Sequence, residues 1–213
     1  MAKIQSYRFK PFKGLTFWTR LLIIARLVAL VGYGYCDASQ AFTGARVDFD
    51  TAAPTDLFVW FTLLSAVLYL LTYVVSGIVS LFWIYRAASN ALALRPGLPI
   101  TPGWAVGWFF VPFANLYKPY QYMRYIWQGS GGFIEKGGEP RLVQAWWIST
   151  IVGNILTGIA SRLDKVVEGP PWDLGLEAVG FGLLFVGTIM FFRLVKTIHH
   201  NQLTADTRIA ETF

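Results

Sequence analysis

Residues Thr101–Trp127 read TPGWAVGWFFVPFANLYKPYQYMRYIW. This stretch is apolar and aromatic, but it is interrupted by three prolines, Pro102, Pro112 and Pro119. Only about 15 largely apolar residues precede Lys118, and a helix of that length, at about 1.5 Å per residue, is shorter than a hydrocarbon core of roughly 30 Å. A proline inside a helix also removes a backbone hydrogen bond and clashes with the preceding turn. We therefore predict a hairpin of two short helices, either re-entrant or lying in the membrane interface.

Four cleaner apolar runs surround this stretch. They lie at about residues 18–36, 57–83, 142–160 and 174–192. Each approaches or exceeds the roughly 20 apolar residues that span a bilayer. Composition agrees, because 55% of the residues are hydrophobic and only 14% are charged, whereas a soluble domain carries about 25% charged residues. The four runs therefore predict transmembrane helices.

Together these segments predict an all-α polytopic membrane protein, with four transmembrane helices plus the proline-broken re-entrant or interfacial helical hairpin at 101–127. We expect a single membrane domain over residues 1–213, ending in a polar tail at 197–213. The second run is longer than one span, so its helix either tilts or continues beyond the membrane through Ile84–Leu94. In the fourth run, four small residues predict close helix packing: Gly175, Ala178, Gly182 and Gly187.

The positions of the lysines and arginines predict the orientation. If the broken stretch returns to the side from which it came, the outer loops hold only Arg46, Arg162 and Lys165 of the 18 basic residues. If it crosses instead, Arg193 and Lys196 move to the outside. The positive-inside rule favours the first arrangement. We therefore predict a multi-pass membrane protein with its N- and C-termini in the cytoplasm.

Charge and cysteine content exclude several kinds of site. The net charge of +6 does not indicate nucleic-acid binding, because the basic residues adjoin apolar runs rather than forming a soluble basic face. The single cysteine, Cys36, allows no intrachain disulfide and is expected to be a buried thiol. His199 and His200 would point about 100° apart on a helix, so we expect a basic interfacial cluster rather than a metal site. We expect no metal and no cofactor.

Ionisable and polar groups inside the spans are few. All twelve carboxylates lie in loops, at span ends or in the tail, which argues against proton-coupled transport. No nucleophile elbow and no Ser/His/Asp set at one depth is visible, so we expect no catalytic residues. Two intramembrane polar residues remain, Arg26 and Asn154. Arg26 either snorkels or makes an internal structural hydrogen bond, or else it is functional.

Polar residues near the cytoplasmic end of the second run form the best candidate site. Trp83, Arg86 and Asn90 recur at helical spacing and share one face. The full candidate set is Trp83, Arg86, Asn90, Trp104, Trp108, Pro112, Asn115, Lys118, Pro119 and Arg124. Two interpretations stay open. The basic, aromatic-rimmed group holds an anionic lipid headgroup, or its side chains bond the carbonyls that the prolines free.

Part of this set also carries a resemblance. The segments are WIYRAASNA at 83–91, TPGWAVGWFFVPFANL at 101–116, KPY at 118–120, and Met123. In these residues the chain resembles the DUF4328 family of bacterial multi-pass membrane proteins. The resemblance implies a bacterial inner-membrane location. Because that family has no established activity, it implies no catalytic residues.

The sequence thus favours an integral inner-membrane protein without evident catalysis, either a partner subunit or a lipid-binding scaffold of a membrane complex. The alternative is a small passive transporter or channel that uses the 101–127 segment, and a membrane-embedded enzyme is the weaker alternative. Expected partners are membrane lipids, including anionic headgroups on the cytoplasmic side, and a protein partner or a second copy of the chain.

Overall fold

The computed structural model describes residues 7–43, 56–131, 140–163 and 172–212. These residues form six α-helices: α1 Lys13–Thr43, α2 Leu57–Leu94, α3 Pro102–Gly107, α4 Lys118–Gly129, α5 Arg141–Leu163 and α6 Trp172–Thr212. Two 3₁₀ turns, Trp108–Phe110 and Ala114–Leu116, lie between α3 and α4. The described residues contain no β-strand. The predicted all-α class is confirmed.

Four of these helices are long and apolar enough to cross a membrane. The segments are Lys13–Ser39, Leu57–Leu94, Arg141–Leu163 and Gly175–Thr207. Their surfaces expose many large apolar side chains, such as Val28, Leu57 and Leu70. Exposed apolar area on this scale is rare in soluble monomers and marks contact with lipid or another apolar partner. Length and composition therefore indicate a multi-pass membrane protein with the four predicted spans.

Two of the spanning helices continue well past the length of one span. The second helix, α2, has 38 residues, or about 57 Å at about 1.5 Å per residue, so it does continue through Ile84–Leu94. The last helix, α6, has 41 residues and reaches Thr212, so nearly all of the predicted polar tail is helical. In this extension Leu194, Ile198 and Gln202 are fully buried. Their spacing of four residues places them on one helix face. One face of the extension is therefore buried, although the sequence of the extension is polar.

Contacts within the chain group into two compact units. The first comprises Met1–Leu21, Gly77–Trp147 and Met190–Phe213, and the second comprises Leu22–Ser76 and Ile148–Ile189. The expectation of one domain over 1–213 stays a prediction.

Glycines in the second unit bring α5 and α6 close together. A Cβ added at Gly180 would lie 3.0 Å from the backbone nitrogen of Thr157, and one at Gly187 would lie 2.8 Å from Thr150 Oγ1. On α5, Gly153 makes the same kind of approach to Leu184. Of the four small residues predicted to pack, only Gly187 does so. The other predicted positions, Gly175, Ala178 and Gly182, are exposed, because the face of α6 that meets α5 is rotated away from them.

Replacing Gly180 by alanine is expected to lower the free energy of unfolding by about 1–2 kcal/mol, since an added methyl group would overpack this approach. The matched control is Gly182→Ala, where an added Cβ meets nothing within 4 Å. That control should be neutral or stabilising by up to about 1 kcal/mol, because alanine is the better helix former. Thermal unfolding in detergent, followed by circular dichroism, measures both. Equal effects at the two glycines would contradict this packing.

Candidate functional site

Trp83 forms the centre of the first unit's aromatic core. Its side chain is 0% exposed, and its Nε1 donates a hydrogen bond to Thr16 Oγ1 at 3.2 Å. The rings of Phe12 and Phe191 lie 6.1 and 6.3 Å from it. His199 joins the same cluster, with Nδ1 3.2 Å from Thr16 Oγ1. The one polar atom of this side chain, Nε1, thus has its hydrogen-bond partner within the protein, which favours a structural role.

Asn90 holds the N-terminal segment against α2. Its Oδ1 accepts a hydrogen bond from the backbone nitrogen of Lys10 at 3.1 Å, and its Nδ2 donates to the Lys10 carbonyl at 3.0 Å. The amide is fully buried, so these two bonds replace the water that it has lost. The side chain therefore fastens the residues that precede α1, and both of its functional groups are occupied.

The break in the 101–127 stretch is a tight turn centred on Phe113. This residue has φ 61° and ψ −44°, and the nitrogen of Ala114 donates to the carbonyl of Pro112 at 2.7 Å. A hydrogen bond between residues two apart around such a positive φ defines the rare, strained form of γ-turn. Pro102 and Pro119 lie in the first turns of α3 and α4, where a missing N–H leaves no bond unmade. Only Pro112 coincides with the break, which yields the two short helical pieces that were predicted.

Carbonyls near the break are bonded by side chains. Asn115 Nδ2 donates to the Phe109 carbonyl at 3.4 Å, and Trp147 Nε1 donates to the Leu116 carbonyl at 2.8 Å. The Trp147 ring also lies 6.1 Å from that of Phe109 in an edge-on arrangement. Sequence reasoning missed Trp147 as part of the site, because its partner is 31 residues away along the chain.

The segment Pro102–Phe110 presents two different faces. On one, Trp104 stacks on Trp108 at 4.5 Å, and Lys118 Nζ lies 5.6 Å from the Trp108 ring. The same ammonium group donates to Gln121 Oε1 at 3.1 Å. Lys118 is therefore occupied by its own helix and by the indole on this face.

The opposite face lines an apolar groove of about 620 Å³. Its walls are Leu15, Ile78, Leu81, Phe82, Tyr85, Arg86, Gly103, Val106 and Phe110. Arg86 is the one charged residue among them and is half-buried. No described residue forms a hydrogen bond, an ion pair or a ring contact with it. The groove thus combines an apolar surface with one cation that lacks a partner in the described parts of the chain.

The predicted polar cluster is therefore divided by the structure. Arg86 lines the groove, and Lys118 does not, because α3 and the following 3₁₀ turn present different faces to them. Asn90 and Asn115 bond backbone groups at separate places. Arg124 is half-buried and already has an interaction partner. Of the ten candidates, only Arg86 lines this groove.

Comparison with known proteins identifies the family of the chain. A model described as a domain of unknown function, DUF4328, matches residues 44–199. The chain belongs to the DUF4328 family. The matched region contains α2, the broken segment and α5, so it includes the groove-lining part of α2 and all ten candidate residues. No curated protein and no solved structure matches this DUF4328 protein.

The two intramembrane polar residues of the DUF4328 protein lie in the second unit. The Arg26 guanidinium lies 4.5 Å from the centre of the Tyr73 ring and interacts with Tyr69. Its Nε is buried without a hydrogen bond. Asn154 is exposed and donates to the Thr150 carbonyl of its own helix at 2.7 Å. Arg26 thus interacts with two tyrosines, and the Asn154 amide makes its hydrogen bond within its own helix.

Gln202 is a structural residue that sequence reasoning did not identify. It is fully buried, and its Nε2 donates to the Ala87 carbonyl at 2.9 Å and to Ser130 Oγ at 2.8 Å. It therefore connects the end of α6 to α2 and to the end of α4. Beside it, a Cβ added at Gly129 would lie 2.8 Å from that of Ala91. No composition or spacing signal marks these contacts, because they join residues distant in sequence.

The described parts of the chain hold no group of three or more histidine, cysteine or acidic side chains placed to bind a metal ion. Cys36 is fully buried, with Sγ 3.8 Å from Ser65 Oγ. The thiol is therefore buried, as expected. The feature of this DUF4328 protein best suited to a ligand is the groove at Arg86.

Proposed function

We propose that this DUF4328 protein is a non-catalytic scaffold of the inner membrane that binds an anionic lipid. One acyl chain lies along the apolar walls of the groove, and the negatively charged head meets the Arg86 guanidinium. The observation that carries this proposal is a half-buried arginine, without a partner among the described residues, at an otherwise apolar groove of about 620 Å³.

The free energies of burial favour such an occupant. A charge withdrawn from water without a partner is costly, and exposed apolar walls are also unfavourable in water. An amphiphile with an acyl chain and an anionic head satisfies both surfaces at once, with about 0.8 kcal/mol for each buried methylene group. Arginine suits the head because its guanidinium binds phosphate and carboxylate through paired hydrogen bonds. The groove volume also falls within the range of about 300–1,000 Å³ that is usual for small-molecule sites.

The orientation that goes with this proposal puts both termini and the broken segment on the cytoplasmic side. All but three of the 18 lysines and arginines then lie on that side or adjoin it, in agreement with the positive-inside rule. Anionic lipids give the cytoplasmic leaflet a negative surface potential, so Arg86 would meet its ligand at that surface. A water-filled channel would need a polar lining, and the groove walls other than Arg86 carry no charge.

Replacing Arg86 by glutamine is expected to reduce the amount of co-purified anionic lipid. Loss of a hydrogen bond to a charged group costs about 1.5–3 kcal/mol, which corresponds to a roughly 10- to 150-fold weaker Kd. Mass spectrometry of lipids retained after purification in mild detergent measures the change.

Two matched variants control for general loss of charge. Arg95→Gln removes an exposed arginine from the turn after α2, and Lys118→Gln removes the cation on the other face of the broken segment. Both should retain the lipid content of the unmodified protein. An Arg86→Gln protein with unchanged anionic lipid would rule out the proposal. An equal loss of lipid in all three variants would also contradict it, because the lipid content would then depend on the total positive charge and not on the groove.

A further inference from the structure

A second surface, on the tip of the broken segment, is separate from the cation at Arg86. It consists of Phe113, Leu116 and Tyr117, all of them exposed, and Phe113 is 88% exposed. We propose that this tip inserts into the acyl layer of the membrane, with Phe113 deepest, and returns without crossing. The proposal goes beyond lipid binding in the groove and does not depend on it.

The sequence around the tip suits the hydrocarbon region. No charged residue occurs between Arg95 and Lys118. Each large apolar side chain moved from water into an apolar environment contributes about 1.5–3 kcal/mol. Arg95 and Lys118 flank the uncharged segment, and a basic residue at each end favours the same, cytoplasmic side for both ends. The tip therefore has the charge distribution of a segment that dips into a membrane and comes back.

The backbone at Phe113 gives the second argument. A positive φ at a bulky residue costs of order 1–3 kcal/mol and persists only where something offsets it. Inside the protein, the Phe113 ring makes no ring contact with any described residue. Transfer of the ring into hydrocarbon supplies a free energy of the same order. The strained turn thus directs an aromatic side chain away from the protein, and lipid gives that side chain a favourable environment.

Lipid is favoured over a protein partner because the tip continues an apolar surface of α2. Phe110, three residues before Phe113, lines the same groove as Phe82 and Tyr85, and all three are exposed. This part of α2 belongs to one of the four apolar spanning helices. Trp104, on α3, and Tyr117 combine apolar rings with polar atoms, as side chains at the membrane–water boundary do. The tip therefore lies where the bilayer would cover it.

A nitroxide label at position 113 tests the depth. In a Cys36→Ser background, Phe113→Cys is labelled and reconstituted into vesicles of phosphatidylethanolamine and phosphatidylglycerol. Power saturation then compares collisions with apolar oxygen and with a water-soluble nickel complex. We expect the label at 113 to lose its nickel collisions while retaining those with oxygen. A label at Leu116→Cys should show the same trend at shallower depth, and it provides the reading if the label at 113 perturbs folding.

The control label is Arg95→Cys, in the polar turn after α2. It should collide freely with the nickel complex, and a charged maleimide should label that cysteine in inside-out but not in right-side-out vesicles. Nickel collisions at 113 equal to those at 95 would overturn the insertion, and a label at 113 shielded from both reagents would mean that protein covers the tip. Labelling at 95 from the outer side would contradict the proposed orientation. The lipid content of the Arg86→Gln protein tests only lipid binding in the groove, so the two proposals can fail independently.

Discussion

Replacing Trp83 by alanine is expected to lower the free energy of unfolding by about 3–5 kcal/mol, the usual cost of removing a buried aromatic side chain. The indole is 0% exposed and contacts the rings of Phe12 and Phe191. Its removal leaves a cavity between the N-terminal segment, α2 and α6, and it also removes the donor to Thr16 Oγ1. Thermal unfolding in detergent, followed by circular dichroism, measures the loss.

Two variants separate the contributions of this side chain. Trp83→Phe retains an aromatic ring but loses the hydrogen bond, so it should cost about 1–2 kcal/mol from the lost donor and the smaller ring. Trp104→Ala removes an indole of the same size that is half-exposed and stacked only on Trp108, and it should have a much smaller effect. Similar losses at Trp83 and Trp104 would show that burial of Trp83 does not stabilise the fold as described.

Asn90→Ala is expected to be the second most destabilising of these changes, at about 2–3 kcal/mol. It removes two hydrogen bonds to the backbone of Lys10, each contributing about 1 kcal/mol, and it leaves polar groups without partners. Because the lost contacts fasten residues 7–12, the N-terminal segment should also detach. Faster hydrogen exchange at those residues, together with a lower unfolding temperature, is the expected result.

The matched substitution for this test is Asn115→Ala. Asn115 makes one long side-chain hydrogen bond of 3.4 Å to the Phe109 carbonyl and is only half-buried. We expect it to cost less than about 1 kcal/mol and to leave hydrogen exchange at residues 7–12 unchanged. If Asn90→Ala leaves residues 7–12 as protected as the unmodified protein does, Asn90 does not fasten the N-terminal segment.

These expectations divide the residues that carry the family resemblance into two groups. Trp83 and Asn90 have all of their polar atoms engaged by the chain itself. Arg86 lies between them on α2 but reaches a groove rather than a protein partner. A helix face identified from spacing alone can therefore combine packing residues with one residue that is free to bind a ligand.

Local patterns were sufficient for the helices and for the break. The four apolar runs and the proline at position 112 act through chain length and backbone chemistry within a few residues, and both predictions are confirmed. The glycine prediction failed at Gly182 and missed Gly180, although the two are only two residues apart on α6. Those positions differ by about 200° around a helix of 3.6 residues per turn, and nothing local indicates which of them meets α5.

For this protein, the sequence by itself determined an all-α membrane chain with four spans and a proline-broken segment, because hydrophobic length and backbone restrictions are local properties. Only the tertiary structure decided that Lys118 and Arg86 lie at different faces of that segment. It also decided that Trp147 donates a hydrogen bond to a carbonyl near the break and that Gln202 connects α6 to α2. Each of these contacts depends on the rotation of one helix against another. That rotation is set by packing between residues far apart in the chain, which no short pattern records.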